Sequence, residues 1–186
     1  MNEQLGTSVP LVVDDEPFSL SIVVGILKDL KCASVLEAKD GTRAMELYAS
    51  DKKPTLSIVD FNMPRMNGLQ LLKNVRTGRA RMPRNHRFLM LTGNADLGLV
   101  RAAIALDVDS FIVKPASKQI LADRLHKALT ERPKMKSILD YDAVDIEAVN
   151  RQFLGHEPVG QPVAAAAAAT RTDYQEWRVP LEEIKP

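Results

Sequence analysis

Residues 56–64 read LSIVDFNMP, and they indicate the fold class more directly than any other stretch. A short, mostly apolar run of this kind is typical of a strand covered on both faces, and Asp60 follows it directly. A second run, at 10–13, is followed by Asp14, Asp15 and Glu16. In open α/β sheets, ligands bind at the carboxyl ends of the strands. The two runs therefore predict an acidic site at one edge of a parallel sheet.

Short apolar runs alternate with amphipathic stretches between residues 8 and 132, as in successive βα units. Five units fit, which predicts an α/β fold with a doubly wound parallel sheet and helices on both faces. The predicted strands are 10–13, 34–38, 56–59, 88–91 and 111–113, and the predicted helices are 17–30, 41–50, 67–76, 95–106 and 117–131.

Three local signals support these helices. Pro17 suits the first turn of the first helix, and Asp40 and Asn67 are good N-cap residues for the second and third. Apolar residues spaced for one helical face predict which side of the first helix is buried. These residues are Phe18, Ile22, Ile26 and Leu30. The arginine-rich segment 76–87 has no helical period, and we expect an exposed basic loop.

The βα pattern ends at Pro133, which separates a domain at 7–132 from a C-terminal extension at 133–186. An apolar stripe predicts one short helix at about 142–153 in this extension, packed on a face of the domain that carries Leu99 and Ala103, in the same chain or a second copy. The alternative is an extension without a partner. The remainder, which includes Trp177, is expected to be a linker or a partner-binding segment.

Composition narrows the function classes. The 186 residues carry a formal net charge of +1. The extension holds 6 Lys and Arg against 9 Asp and Glu, a net −3, which opposes direct DNA binding, and residues 1–132 hold 19 against 15, a net +4. No apolar run approaches the ~20 residues of a membrane span, and the N-terminus shows no secretory signal, so we expect a cytoplasmic protein. Cys32 is the sole cysteine, which excludes an internal disulfide.

Asp14, Asp15 and Asp60 would repel one another at a shared sheet edge unless a divalent cation lies between them. An all-oxygen ligand set favours Mg²⁺. Each aspartate alone is equally compatible with a structural role, because Asp often ends strands and caps helices. Two further strands end in Thr92 and in Lys114, which adds a hydroxyl and an ammonium group at the same edge. Together these groups suit an aspartate that accepts a phosphoryl group.

These residues resemble the receiver domains of bacterial two-component response regulators, with separations of 46, 32 and 22 residues from Asp14 through Asp60 and Thr92 to Lys114. The resemblance covers about 125 of the 186 residues and extends to the loop DFNMPRMNG at 60–68. It implies a flavodoxin-like sheet with strand order 2-1-3-4-5. It also implies that Asp60 is the phosphorylation site and that Mg²⁺ is held by Asp14, Asp15, Asp60 and the backbone carbonyl of Asn62.

The same resemblance implies roles around the phosphoryl group. Thr92 and Lys114 would bind its oxygens, and Phe111 would be the aromatic switch residue that turns inward when Thr92 is drawn to the phosphate. Phe111 lacks the hydroxyl of a Tyr, so its switching would depend on packing. The Lys114–Pro115 bond would be cis. The resemblance further implies that Asn62 and Asn94 would tune loss of the phosphoryl group.

The leading hypothesis is a phosphorylation-activated signalling switch and not an enzyme, with a histidine kinase or a histidine phosphotransfer protein as donor. Its output would be contact with a downstream protein, and a homodimer is possible. A phosphorelay intermediate that passes the group on is an alternative within signalling. A DNA-binding transcriptional regulator and an aspartyl-phosphate phosphohydrolase are the alternatives from other classes; the latter would usually need a second Asp where this chain has Asn62.

Overall fold

The computed structural model describes residues 5–93, 97–131 and 134–154. The strands are β1 (Pro10–Val13), β2 (Leu36–Ala38), β3 (Leu56–Asp60), β4 (Arg87–Thr92) and β5 (Ser110–Val113). They form one parallel sheet in the order β2-β1-β3-β4-β5, which confirms the predicted topology. The central strand β3 is buried along its whole length, as expected for a strand covered on both faces.

The helices in the described part of the chain are α1 (Pro17–Asp29), α2 (Gly41–Ala49), α3 (Gly68–Arg76), α4 (Leu97–Ala105), α5 (Lys118–Thr130), α6 (Ile138–Asp142) and α7 (Glu147–Leu154). One hydrophobic cluster buries α1 and α5 against the sheet, and a second buries α2, α3, α4 and apolar residues beyond 134. As predicted, the side chains of Asp40 and Asn67 accept backbone hydrogen bonds at the starts of α2 and α3. No helix within the described ranges is both long and apolar enough to span a membrane.

Helix α1 forms where the sequence predicts, but only half of its predicted buried face is confirmed: Ile26 and Leu30 are half-buried against the core, whereas Phe18 and Ile22 are not. Phe18 is 70% exposed and Ile22 is 38% exposed. The fully buried residues of this helix are Val23, Val24 and Leu27. This helix is apolar on more than one stripe, so its period alone does not identify the side that the sheet covers.

The segment 76–87 is only in part the exposed loop that its arginines predict. Arg76 is fully buried and His86 is 6% exposed, whereas Arg79 and Arg81 are exposed. Arg76 is the last residue of α3, and its guanidinium group donates to backbone carbonyls of two neighbouring loops. Satisfied hydrogen bonds allow a charge that would otherwise be solvated to be buried.

The extension contains two short helices instead of the single helix predicted at 142–153. Ser137 and Asp140 form a capping box at the start of α6. The side chain of Asp145 accepts hydrogen bonds from the N–H groups of Glu147 and Ala148, so a new helix begins there. Helix α6 packs on α3 and α7 packs on α4. Residues 155–186, including Trp177, lie outside the described residues.

Candidate functional site

Three aspartates meet at the carboxyl-terminal edge of the sheet. Carboxylate oxygens of Asp14, Asp15 and Asp60 all lie within 4.8 Å of one another. Asp60 is the last residue of β3, and the backbone N–H of Asp14 continues the ladder of β1 by donating to Ala38. Asp14 and Asp60 are 1% and 5% exposed, whereas Asp15 is exposed. Two of the three carboxylates are therefore fixed by the ends of strands, and the third, that of Asp15, is accessible to solvent.

Lys114 joins the cluster from the end of β5. Its Nζ atom lies 2.7 Å from Oδ2 of Asp14 and 2.6 Å from Oδ1 of Asp60. Its backbone N–H donates to the carbonyl of Thr92 at 2.9 Å, which ties the ends of β4 and β5 together. The Lys114–Pro115 bond is cis, as the resemblance predicts. One ammonium group thus pairs with two carboxylates from two neighbouring strands.

Burial and neighbouring charges shift the pKa values of both Asp60 and Lys114. Burial raises the pKa of Asp60 above its usual value, and the hydrogen bond and charge of Lys114 oppose that rise. Burial alone would lower the pKa of Lys114, but its bonds to Asp14 and Asp60 outweigh burial and raise the pKa. Among the described residues, Lys114 is the only cation ion-paired with these three aspartates, so negative charge is in surplus.

Further hydrogen bonds hold the carboxylates in place. Oδ1 of Asp14 accepts from the N–H of Glu16 at 3.0 Å, and its Oδ2 accepts from the hydroxyl of Ser19 at 2.6 Å. Oδ2 of Asp60 accepts from the N–H of Asn62 at 2.8 Å. Sequence reasoning missed Ser19. Its position in the first turn of the helix that follows Asp14 is the only signal that could have indicated it.

Two glycines let the loop after Asp60 fold back closely. A Cβ on Gly68 would lie 2.6 Å from the carbonyl oxygen of Asp60, and one on Gly41 would lie 2.7 Å from that of Met66. Any side chain at either position would displace backbone. The buried carboxylate of Asp40 also pairs with Arg65 in this loop. The sequence signalled Asp40 only as a helix cap, because its contact with Arg65 is purely tertiary.

The donor set of the cluster fits a hard divalent cation. Three carboxylates converge, and oxygen ligands of this kind suit Mg²⁺, which prefers one or two carboxylates together with water. The exposure of Asp15 leaves room for that water. Asn62 lies beside the cluster through its N–H bond to Asp60.

Of the other predicted residues, Thr92 lies at the same sheet edge and Phe111 lies within β5, opposite Met90. Thr92 ends β4 and is 2% exposed. Phe111 is 3% exposed and already packs in the core, so the side chain predicted to turn inward occupies an inward position in this conformation. Asn94 lies outside the described residues.

Comparison with known proteins agrees with this geometry. Residues 11–126 match the family model of the response regulator receiver domain. A chemotaxis protein CheY homolog from Campylobacter jejuni is 36% identical over 121 residues, which cover 64% of this chain and 90% of that protein. Chemotaxis protein CheY1 from Helicobacter pylori is 35% identical over 124 residues, or 64% of this chain and 94% of that protein.

Solved structures show the same fold. Chemotaxis protein CheY4 from Vibrio cholerae is 26% identical, with a TM-score of 0.58 over 66% of this chain and 98% of that one. The signal receiver domain of an HD domain-containing protein from Pseudomonas fluorescens is 28% identical, with a TM-score of 0.60 over 66% of this chain and 94% of that one. The chain belongs to the response regulator receiver domain family.

Proposed function

We propose that this protein is a phosphorylation-activated signalling switch that accepts one phosphoryl group on Asp60. The donor is a histidine kinase or a histidine phosphotransfer protein, and the output is contact with a downstream protein. The observation that carries the proposal is the position of Lys114, which bridges Asp14 and Asp60 at 2.7 and 2.6 Å in a cluster with surplus negative charge. Such a cluster needs a further cation, and the cation together with Lys114 suits a phosphoryl group.

The transfer uses an oxygen of Asp60 as nucleophile. This oxygen attacks the phosphorus atom of the donor's phosphohistidine, an O–P bond forms as the P–N bond breaks, and the electron pair of the broken bond stays on the imidazole nitrogen. Lys114 is placed to pair with Asp60 before transfer and with a phosphoryl oxygen afterwards. The hydroxyl of Thr92 supplies a further hydrogen bond to the transferred group.

Asp14, Asp15, Asp60 and the backbone carbonyl of Asn62 are the proposed ligands of Mg²⁺. When bound, this ion supplies positive charge that offsets the charge of the phosphoryl group in transit. Asp14 is held by Ser19 and Lys114, whereas Asp15 has its carboxylate exposed. Asp15 is therefore the ligand most accessible to an incoming ion.

The protein is an acceptor, not an enzyme, because each chain takes up one group on its own side chain and loses it slowly by hydrolysis. Asn62, two residues after Asp60, does not supply the second aspartate that an aspartyl-phosphate phosphohydrolase would usually carry. The net charge of −3 on 133–186 opposes a transcriptional regulator that binds DNA directly.

The test is incubation of the full chain with acetyl phosphate, followed by intact mass measurement. We expect the mass of one phosphoryl group, only with Mg²⁺ present, and none on Asp60→Asn. Asp51→Asn is the matched control, because Asp51 is exposed in a loop, and it should be labelled like the unaltered protein. Undiminished labelling of Asp60→Asn would contradict the assignment of the acceptor.

The phosphorylated chain also separates a terminal switch from a relay intermediate. A relay intermediate would pass the group to a purified histidine phosphotransfer protein, and the transfer would run in both directions. A terminal switch would return the group to its own donor at most, and would otherwise lose it by hydrolysis. Light scattering before and after phosphorylation tests whether a homodimer forms.

A further inference from the structure

The segment 134–154 is packed against the receiver domain. Tyr141 is fully buried, and Ile146 and Val149 are 6% and 7% exposed. All three belong to the hydrophobic cluster that also contains Leu99 and Ala103 of α4. Burying side chains of this size stabilises the docked position by about 1.5–3 kcal/mol each.

Polar contacts fix the position of this segment. The ammonium group of Lys73 on α3 donates to the carbonyls of Asp142 and Val144, both at 2.8 Å. The hydroxyl of Tyr141 donates to the carboxylate of Asp107 at 2.6 Å, beyond the end of α4. Lys136 forms an ion pair with the same carboxylate at 2.8 Å. The segment therefore joins α3 to the turn that follows α4.

One contact reaches the loop that carries the acceptor. Oδ1 of Asn150 accepts a hydrogen bond from Nδ2 of Asn67 at 2.7 Å, and both residues are buried. Asn67 caps α3, and the next residue, Gly68, lies directly against the backbone carbonyl of Asp60. Asn150 is therefore connected to Asp60 through only two intervening residues, Asn67 and Gly68.

The docked position leaves one buried donor unsatisfied. Among the described residues, no acceptor meets Nδ2 of Asn150, although that atom is inaccessible to solvent. An unpaired buried amide costs about 1–3 kcal/mol. This cost offsets part of the apolar burial, so the docked position is less stable than its buried side chains alone would make it.

We propose that 134–154 is an autoinhibitory clamp that covers the α3–α4 face in the resting protein and leaves it when Asp60 is phosphorylated. The inference rests on the function proposed above. Helix α4 follows Thr92 along the chain, and Asn67 follows Asp60, so a phosphoryl group held by both strand ends changes the surfaces on which α7 rests. Release uncovers the α3–α4 face for a protein partner.

Thermodynamic linkage allows the clamp to be tested in two ways, by the docking of the segment and by the affinity for a phosphoryl analogue. If a phosphoryl group weakens docking, docking must weaken the binding of a phosphoryl analogue by the same factor. Beryllium fluoride with Mg²⁺ is a suitable probe, because it binds a carboxylate reversibly as a tetrahedral stand-in for the phosphoryl group. Its affinity is measured by calorimetry, and release is measured by amide hydrogen exchange of peptides that cover 138–151.

The variants are made in the full chain. Val149→Asp places a charge in the buried contact and should release the segment. Leu139→Asp is the matched control, because Leu139 is 79% exposed on α6.

We expect beryllium fluoride to accelerate exchange in 138–151 of the unaltered protein and of Leu139→Asp. Val149→Asp should exchange rapidly without the probe and bind it about fivefold more tightly or better. Binding of the probe with unchanged exchange, or equal affinity in Val149→Asp and Leu139→Asp, would overturn the clamp alone. A chain that neither binds the probe nor gains phosphoryl mass would overturn the proposed function together with the clamp.

Discussion

At the amino-terminal edge of the sheet, Arg76 is fully buried, and each of its five N–H donors has an acceptor. Asp109 beside it accepts from Arg76, from Arg87 and from the backbone N–H of Phe88. At the carboxyl-terminal edge, Lys114 alone pairs with Asp14 and Asp60 among the described residues, and Asp15 is left exposed. Both edges gather buried charges, but only at the second do carboxylates outnumber the cations that pair with them.

The difference shows how a ligand site can be told from a structural ion pair in one fold. Buried charged groups whose hydrogen bonds are all made within the protein have no donor or acceptor left for a ligand. Carboxylates that outnumber their cations remain available to a metal ion and a phosphoryl group, at some cost in stability. The comparison predicts that substitutions at the first edge change stability, and that those at the second change binding and phosphorylation.

The largest effect is expected from Arg76→Met. Loss of the guanidinium group removes one of the three donors to Asp109 and the donors to four backbone carbonyls, so the free energy of unfolding should fall by about 3–5 kcal/mol. Urea denaturation measures the change. Arg79→Met is the control, because its ion pair with Asp142 is exposed and should contribute about 1 kcal/mol or less. Equal losses in the two variants would remove the distinction between the edges.

Lys114→Met should lower the rate of phosphorylation by acetyl phosphate about a hundredfold, the usual effect of removing one donor from a developing charge. The side chain that bridges Asp14 and Asp60 is lost, and the transferred group loses its fixed cation. Lys118→Met serves as the control, because Lys118 is exposed at the start of α5. A rate for Lys114→Met within a few-fold of the control would refute the role of Lys114.

Asp15→Ala should weaken Mg²⁺ binding by at least about tenfold. Its carboxylate belongs to the oxygen cluster and is exposed, so its removal leaves the buried contacts of the fold in place. Calorimetric titration with Mg²⁺ measures the affinity, with His126→Ala as an exposed control on α5. Unchanged affinity in Asp15→Ala would exclude Asp15 from the ligand set.

The strands and the acidic edge could be predicted from sequence because their signals are local. A short apolar run followed by a charged residue marks both a buried strand and its carboxyl end, as at Asp60 and Lys114. Topology then brings all such ends to one edge without any knowledge of side-chain contacts. The strand order and the cis bond before Pro115 came from the family resemblance, not from the residues alone.

The missed features depend on contacts between distant parts of the chain. The buried face of α1 depends on which stripe the sheet covers, and the pairing of Asp40 with Arg65 joins two loops. The break between α6 and α7 depends on Asp145 capping a second helix. His86 was placed in an exposed loop because its arginine neighbours suggested solvent, although its own side chain points to Ser57 inside the fold.

The smallest effect is expected at His86, which lies at the amino-terminal edge of the sheet, where each donor of Arg76 has an acceptor. Its Nε2 atom lies 2.9 Å from the hydroxyl of Ser57, which is also 2.7 Å from that of Tyr48. Burial, assisted by the charges of Arg76 and Arg87, lowers the pKa of His86 from 6.5 to about 3. The folded protein therefore keeps this imidazole neutral over a pH range in which the unfolded chain protonates it.

The sign of the effect follows from proton uptake. Between pH 6.5 and about 3 the unfolded state binds a proton at His86 that the folded state does not, so stability from this residue is lost as pH falls. The loss is at most about 1.4 kcal/mol for each pH unit. Asp60 and Asp109 have raised pKa values and act in the opposite sense, which makes a difference between variants more informative than one curve. The stability of the unaltered protein relative to His86→Gln should therefore fall steadily from pH 6.5 to 4.5 in urea titrations, and a difference that does not change with pH would show that His86 takes up its proton without unfolding.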